Sequence, residues 1–251
     1  VKFLSRMNLI LALIFLLFVL FLSDTIKVFS IFIESTGMYF QRFIEIGTWS
    51  SAFTSSDWQN NWTVFYWAWW IAWSPFVGMF IARISKGRTF KEFVLGVLLV
   101  PTFMTMFWIS VFGGSALLLE INTPGSISSF VLQDSSTSLF VFLKQFPLYQ
   151  FTSLIGILMV SVFFVTSSDS GSLVIDSITS GGKLNAPVGQ RILWALIEGA
   201  VAIALLLGGG LKAMQTMSVT TGILFLFVIF TICYSLFIDL KRSRNPKDKD
   251  L

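Results

Sequence analysis

The sequence contains no histidine and a single cysteine, Cys233. Without a second thiol there is no disulfide framework. Without histidine or clustered cysteine there is no zinc site and no imidazole acid–base chemistry. Charge is scarce too: Asp, Glu, Lys and Arg make up 12 % of the 251 residues, against about 25 % in a soluble domain. No glycine-rich phosphate loop is present, which argues against a nucleotide-driven pump. No pair of acids stands at catalytic spacing inside an apolar run, so a membrane-embedded enzyme lacks a convincing catalytic set. The first residue is Val rather than Met, and no signal-peptide pattern precedes the first apolar run, so the chain reads as an internal or truncated piece of something longer.

What the chain has in quantity is apolar length. Hydrophobic residues make up 55 % of it and the mean hydropathy is +0.81, the composition of a polytopic membrane protein. Crossing roughly 30 Å of hydrocarbon takes about 20 helical residues. Six runs qualify, at about 7–33 (interrupted at Asp24 and Lys27), 61–84, 92–119, 150–179, 187–208 and 213–239. The first run can equally end near Leu22, leaving "IFIESTGMYFQRFIEIGTW" as an amphipathic helix on the outer surface. The segment "SSTSLFVFLKQF" is too short and too polar to cross and reads as a second interfacial helix. The runs are continuous rather than alternating, which excludes a β-barrel. The expected architecture is all-α: one transmembrane domain, 1–240, of about six helices, followed by a basic tail, 241–251.

The pI near 9.3 could suggest nucleic acid, but the cations sit between the apolar runs. With six runs, both ends of the chain fall on one side. That side holds 13 of the 17 Lys and Arg residues, among them Arg83, Lys86, Arg88, Lys183 and Arg191. Only Lys27, Arg42, Lys144 and Lys212 fall on the other. The positive-inside rule places both termini in the cytoplasm and removes nucleic acid as a partner. The tail "KRSRNPKDKDL" is suited to the anionic inner leaflet.

The second run is unusual. Residues 66–80 read "YWAWWIAWSPFVGMF", with four tryptophans in seven residues ahead of a Ser-Pro. Trp70 and Trp73 lie roughly 12–16 Å into the run at 1.5 Å per residue, near mid-depth rather than in the interfacial belt that tryptophan prefers. At 100° per residue, Tyr66, Trp69, Trp70 and Trp73 share an arc of about 100°, with Phe76 and Phe80 extending it downward. An aromatic stripe of this kind ordinarily packs between helices. Here the indole N–H groups need partners at mid-depth. Pro75 also cannot donate to the Ile71 carbonyl, so the helix is expected to loosen after the cluster. Interrupted helices at mid-depth line solute sites in transporters. Aromatic faces attract cations, a quaternary ammonium above all; a neutral apolar ligand stays open.

In the fourth run, "TSSDSGS" (166–172) gathers five hydroxyls around Asp169. Back-bonding and close helix packing are the ordinary use of such residues; ion coordination is the alternative. Asp169 suits either the inner interface or an ion role. Glu198 stands mid-run, where an unpaired acid costs about 2.5–3.5 kcal/mol, and no partner is evident. "GGK" (181–183) and "GGG" (208–210) mark turns.

The stretch "WTVFYWAWWIAWSPFVGMFIARISKGRTFKEFVLGVLLVPTF" resembles the signature region of the betaine/choline/carnitine transporter family, and "FFVTSSDSGSLVID" resembles its second conserved helix. The resemblance covers essentially the whole chain and implies the C-terminal half of a protein about twice this length, with the inverted-repeat fold of sodium-coupled amino-acid transporters. It further implies that Trp70 closes an aromatic box on a trimethylammonium group, with Trp69, Trp73 and Tyr66 lining the pathway and Phe80 and Phe76 as gate-like rings. Phe163, Thr166 and Ser167 would help hold sodium, the coupling ion, through carbonyl and hydroxyl oxygens, with no other metal or cofactor. Carnitine antiporters of the family carry Tyr where Trp73 stands here, which favours an importer of glycine betaine or choline. Proton coupling and carnitine-type exchange are the alternatives. A channel-like binding protein is disfavoured because only the fourth run offers a polar lining. Homotrimers of the full-length protein are also implied.

Overall fold

A computed structural model describes residues 2–54, 57–182 and 187–244. Lys183 and the distal tail, 245–251, lie outside the described residues. Every regular element among the described residues is helical: α1 (Lys2–Leu22), α2 (Thr25–Gln41), α3 (Phe43–Thr48), α4 (Phe65–Ile84), α5 (Phe90–Asn122), α6 (Ser128–Val131), α7 (Ser138–Leu143), α8 (Tyr149–Thr179) and α9 (Val188–Arg244). A π-helical turn, Asn60–Val64, leads into α4. Among the described residues, five helices are long and apolar enough to cross a membrane. Four include the expected runs at 61–84, 92–119 and 150–179 and the start of the first run. The fifth, α9, holds the last two runs either side of a break.

That break is at Gly209 and Gly210, which leave helical geometry (φ −168°, ψ 15° and φ 62°, ψ −152°). The second of these is a backbone region closed to residues with a Cβ. It divides α9 into two arms, 188–208 and 211–244.

The first apolar run does not continue to residue 33 as one helix. It stops at Leu22, and Asp24 caps a new helix by accepting from the Lys27 backbone N–H at 3.1 Å. A side chain that satisfies a free amide in this way starts a helix rather than extending one. Residues 25–41 therefore form a separate element.

The chain divides into two compact units. The first comprises residues Val1–Trp49 and Gly87–Asp169. Its core is built from Phe15, Leu16, Val19 and Leu20 of α1, Val28 of α2, Val111 of α5, and Phe142, Leu143 and Phe146. Phe112 is the hub, stacked on Trp108 at 4.6 Å between ring centroids and in contact with Phe15 and Phe142. The segment expected to lie on the membrane surface, α7 with its flanks, thus supplies three core side chains. Its apolar face is turned to neighbouring helices, a use that short-range periodicity cannot distinguish from a lipid-facing one. Below α5, the Glu120 carboxylate accepts from the backbone N–H groups of Gly125, Ile127 and Ser128 and from the Ser128 hydroxyl, closing the turn into α6.

The second unit comprises Ser50–Lys86 and Ser170–Leu251. Its centre is α4 against the 211–244 arm of α9. A Cβ at Gly222 would lie 2.6 Å from the Ala68 carbonyl oxygen, so the two backbones touch. Ala68 and Ala72 on one helix and Ser218 and Gly222 on the other give the small-xxx-small spacing that permits such approach. Further along, the Phe76 and Phe225 rings meet edge-on at 5.6 Å. Residue numbers rise together along this contact, so the two helices run parallel.

Candidate solute and ion sites

The side of α4 that meets α9 is distinct from the one that carries most of its indoles. Phe65, Ala68, Ala72, Pro75 and Phe76 are partly covered on the α9 side. The flank beside it carries Tyr66, Trp69, Trp70, Trp73 and Phe80, all exposed, with Trp70 at 69 %. A helix turns 100° per residue, which puts Trp70 about 160–200° from the Ala68 contact. The closest backbone approach is thus made by small residues, Ala68 and Gly222, with Phe76 packing on Phe225 beside it. Along the exposed row, Trp62 stacks on Tyr66 at 5.9 Å and Phe65 on Trp69 at 5.8 Å, while Tyr66 leans on Trp69 at 5.8 Å. The structure brings Tyr66 and Trp69 into one ring cluster, with Trp70 and Trp73 beside it on the same face. Phe76 is not in this row: it belongs to the packed side, against Phe225. Trp67 is exposed on another face.

Pro75 was expected to loosen the helix. Instead α4 runs unbroken through it. The Ile71 carbonyl, which loses its i+4 donor to the proline, accepts from the Ser74 hydroxyl at 3.0 Å. A freed carbonyl in an apolar setting needs such a donor, and an adjacent serine can supply one. The irregular geometry in this region sits at the other end, in the π turn of Asn60–Val64. Turns of this type mark functional positions more often than chance.

Helix α8 is likewise unbroken from Tyr149 to Thr179, so the serine-rich stretch lies within regular helix. The Thr166 hydroxyl donates to the carbonyls of Val162 and Phe163 at 2.9 and 3.0 Å. Ser167 is partly covered, and the Phe163 ring is exposed. By helical rotation Phe163, Thr166 and Ser167 share one side, and Ser172, Asp176 and Thr179 share the other. What reads as a single polar cluster in the sequence is two separate faces.

The second face has defined partners on the 188–208 arm of α9. Ser172 donates to Glu198 Oε2 at 3.0 Å, which gives the mid-run acid the partner that the sequence did not name. Asp176 is 2 % exposed, with Oδ2 3.6 Å from Arg191 Nε. Thr179 accepts from Gln190 Nε2 at 2.8 Å and from Trp194 Nε1 at 3.1 Å. Asp169 is exposed. Asp176, Gln190, Arg191 and Trp194 were not singled out from the sequence as site residues. The signal was present, since Ser172, Asp176 and Thr179 stand at i, i+4 and i+7 on α8. Among the described residues, no three His, Cys, Asp or Glu side chains cluster as a metal would require.

Against this geometry stand the comparisons with known proteins. A family model described as betaine/carnitine/choline family transporter (BCCT) matches residues 1–245. A glycine betaine/proline/choline/ectoine transporter of Vibrio parahaemolyticus is 46 % identical over 239 residues, covering 94 % of this chain and 42 % of the relative. Glycine betaine transporter 1 of the same organism is 45 % identical over 251 residues (98 % and 47 %). A glycine betaine transporter of Bacillus subtilis is 39 % identical over 254 residues (99 % and 48 %). The chain spans about half the length of the curated relatives it matches. It belongs to the betaine/carnitine/choline transporter family, membrane-embedded multi-pass proteins whose named relatives are transporters rather than enzymes.

Proposed function

We propose that this family member is the C-terminal half of a secondary transporter that imports a quaternary-ammonium solute, glycine betaine or choline, with sodium, and performs no covalent chemistry. The observation that carries the reading is the aromatic row of α4. Tyr66, Trp69, Trp70 and Trp73 stand on the face that α9 leaves uncovered. A trimethylammonium group has no N–H to donate, so its binding energy comes from ring faces, about 0.5–2 kcal/mol for each well-placed contact. In this reading Trp70 is the principal contact, Trp69, Trp73 and Tyr66 line the path, and Phe80 is a gate ring. Phe76, seated on Phe225, steadies the helix below them.

Sodium is assigned to the Phe163, Thr166 and Ser167 side of α8. Hydroxyl oxygens are suitable ligands for a hard cation, and Thr166 Oγ1 is oriented by its bonds to two carbonyls. The carbonyl oxygens of this stretch are engaged within the helix, so the remaining ligands come from segments outside this chain. Both ends of the chain are read as cytoplasmic, a reading supported by the distribution of Lys and Arg. The full-length protein is read as a homotrimer whose basic tail meets anionic lipid.

The test is uptake of radiolabelled glycine betaine and choline by cells expressing the full-length transporter. Accumulation driven by a sodium gradient, lost in Trp70→Ala and retained in Trp67→Ala, is the expected result. Undiminished uptake by Trp70→Ala removes that indole from the site.

A further inference from the structure

The parallel course of α4 and the 211–244 arm leaves a cleft of about 530 Å³ where both begin. Its walls include Asn60 and Asn61 of the π turn, Phe65 at the start of α4, and Lys212, Gln215 and Thr216 of α9. Lys212 and Thr216 also line a neighbouring depression of about 500 Å³. Beside Phe65, Leu211 and Val219, the cleft carries one cation, three side-chain amides and a hydroxyl, and its lining includes no carboxylate. Lys212 takes no part in the three ion pairs found among the described residues. A lysine that shares a cleft with three side-chain amides and no acid is an environment for a small anion. The cleft also adjoins the aromatic row directly, because Phe65 lines it and stacks on Trp69 at 5.8 Å.

We propose that this cleft is a capture site for the carboxylate end of a zwitterionic solute, with Lys212 as its counter-ion, placed so that the ammonium end meets the ring row at Phe65 and Trp69. The inference rests on the function proposed above and extends it. The ring row recognises the ammonium that betaine and choline share. The cleft recognises the carboxylate that only the zwitterion carries, and so favours it at the mouth of the pathway. Neither Lys212 nor the amides belong to the proposed ring or sodium sites, so the charge can be altered without touching them.

The experiment measures initial rates of glycine betaine uptake by the full-length transporter bearing Lys212→Arg, Lys212→Gln or Lys212→Glu, with choline as a competing solute. The expected order of KM is wild type equal to Arg, below Gln, below Glu. Lys212→Gln should raise KM about two- to fivefold, the scale of one exposed ion pair, with the maximal rate and the inhibition constant of choline unchanged. If choline does not compete with the wild type, selection for the carboxylate is already complete and the charge series alone decides. A KM that ignores the charge at position 212, or an equal weakening of betaine and choline, overturns the capture site. Wild-type cells that accumulate choline but no glycine betaine overturn the capture site alone, and cells that accumulate neither overturn the proposed function and the capture site with it.

Discussion

The Ser74 hydroxyl donates to the Ile71 carbonyl at 3.0 Å, taking the bond that Pro75 cannot make. A proline inside an apolar helix otherwise strands an acceptor where no water reaches it. The serine immediately before the proline makes up the loss from within the same turn, and the aromatic row above it keeps its spacing.

This pairing has a thermodynamic signature. Ser74→Ala is expected to lower the stability of the full-length protein in detergent by about 1 kcal/mol, the cost of an acceptor left without its donor. In a Pro75→Ala background, residue 75 regains an N–H and the serine becomes redundant. The same change should then cost nearly nothing. Thermal unfolding of the four proteins closes this cycle, and additive costs would contradict the pairing.

Close contact between α4 and α9 makes Gly222 sensitive. In Gly222→Ala the new methyl lies 2.6 Å from the Ala68 carbonyl oxygen, and forcing helices apart costs about 1–3 kcal/mol. Because the opposing atom is main chain, Ala68→Gly should give no rescue. Recovery of thermal stability in the double variant would show that the Ala68 methyl sets the distance instead.

Asp176 is buried and its Oδ1 has no hydrogen-bond partner among the described residues, so Arg191 is the charge that balances it. Arg191→Gln is expected to destabilise the protein by about 1–3 kcal/mol, the scale of a buried acceptor that loses its partner, since Arg191 itself is 41 % exposed. Adding Asp176→Asn removes the stranded charge and should restore much of the loss. Expression level and unfolding temperature report both changes; a double variant no better than the single would mean that the pair is not coupled.

On the opposite side of α8, Thr166→Ala and Ser167→Ala should each raise the sodium concentration for half-maximal uptake about tenfold, the equivalent of roughly 1.4 kcal/mol. Thr166→Ser keeps the hydroxyl and should stay near the wild type. Uptake that follows a proton gradient and is indifferent to sodium would reject this assignment.

The helical class and the membrane setting were legible because the length of an apolar run can be read from residue order alone. The break at Gly209 and Gly210 was legible as a turn for the same local reason. Other features required side chains to be seen in place. "Ser-Pro" reads as a helix breaker until the Ser74 rotamer is known. A helix as short as α7 shows an apolar face but not what covers it, and Phe142 and Leu143 turned out to enter a protein core. The hydroxyls of 166–172 read as one cluster because they are adjacent in sequence, whereas helical rotation divides them. Asp176 and Arg191 are linked across a turn, and no local pattern announces such a pair. Phe76 lies at the edge of the aromatic arc by angle, and only Phe225 shows to which side it belongs.

Where Ala68 meets Gly222, main chain rests on main chain, with no layer of flexible side chains to absorb sliding. Two rods locked in this manner behave as a single beam. Any displacement that carries the indoles of α4 must carry the 211–244 arm, and Lys212 on it, along with them.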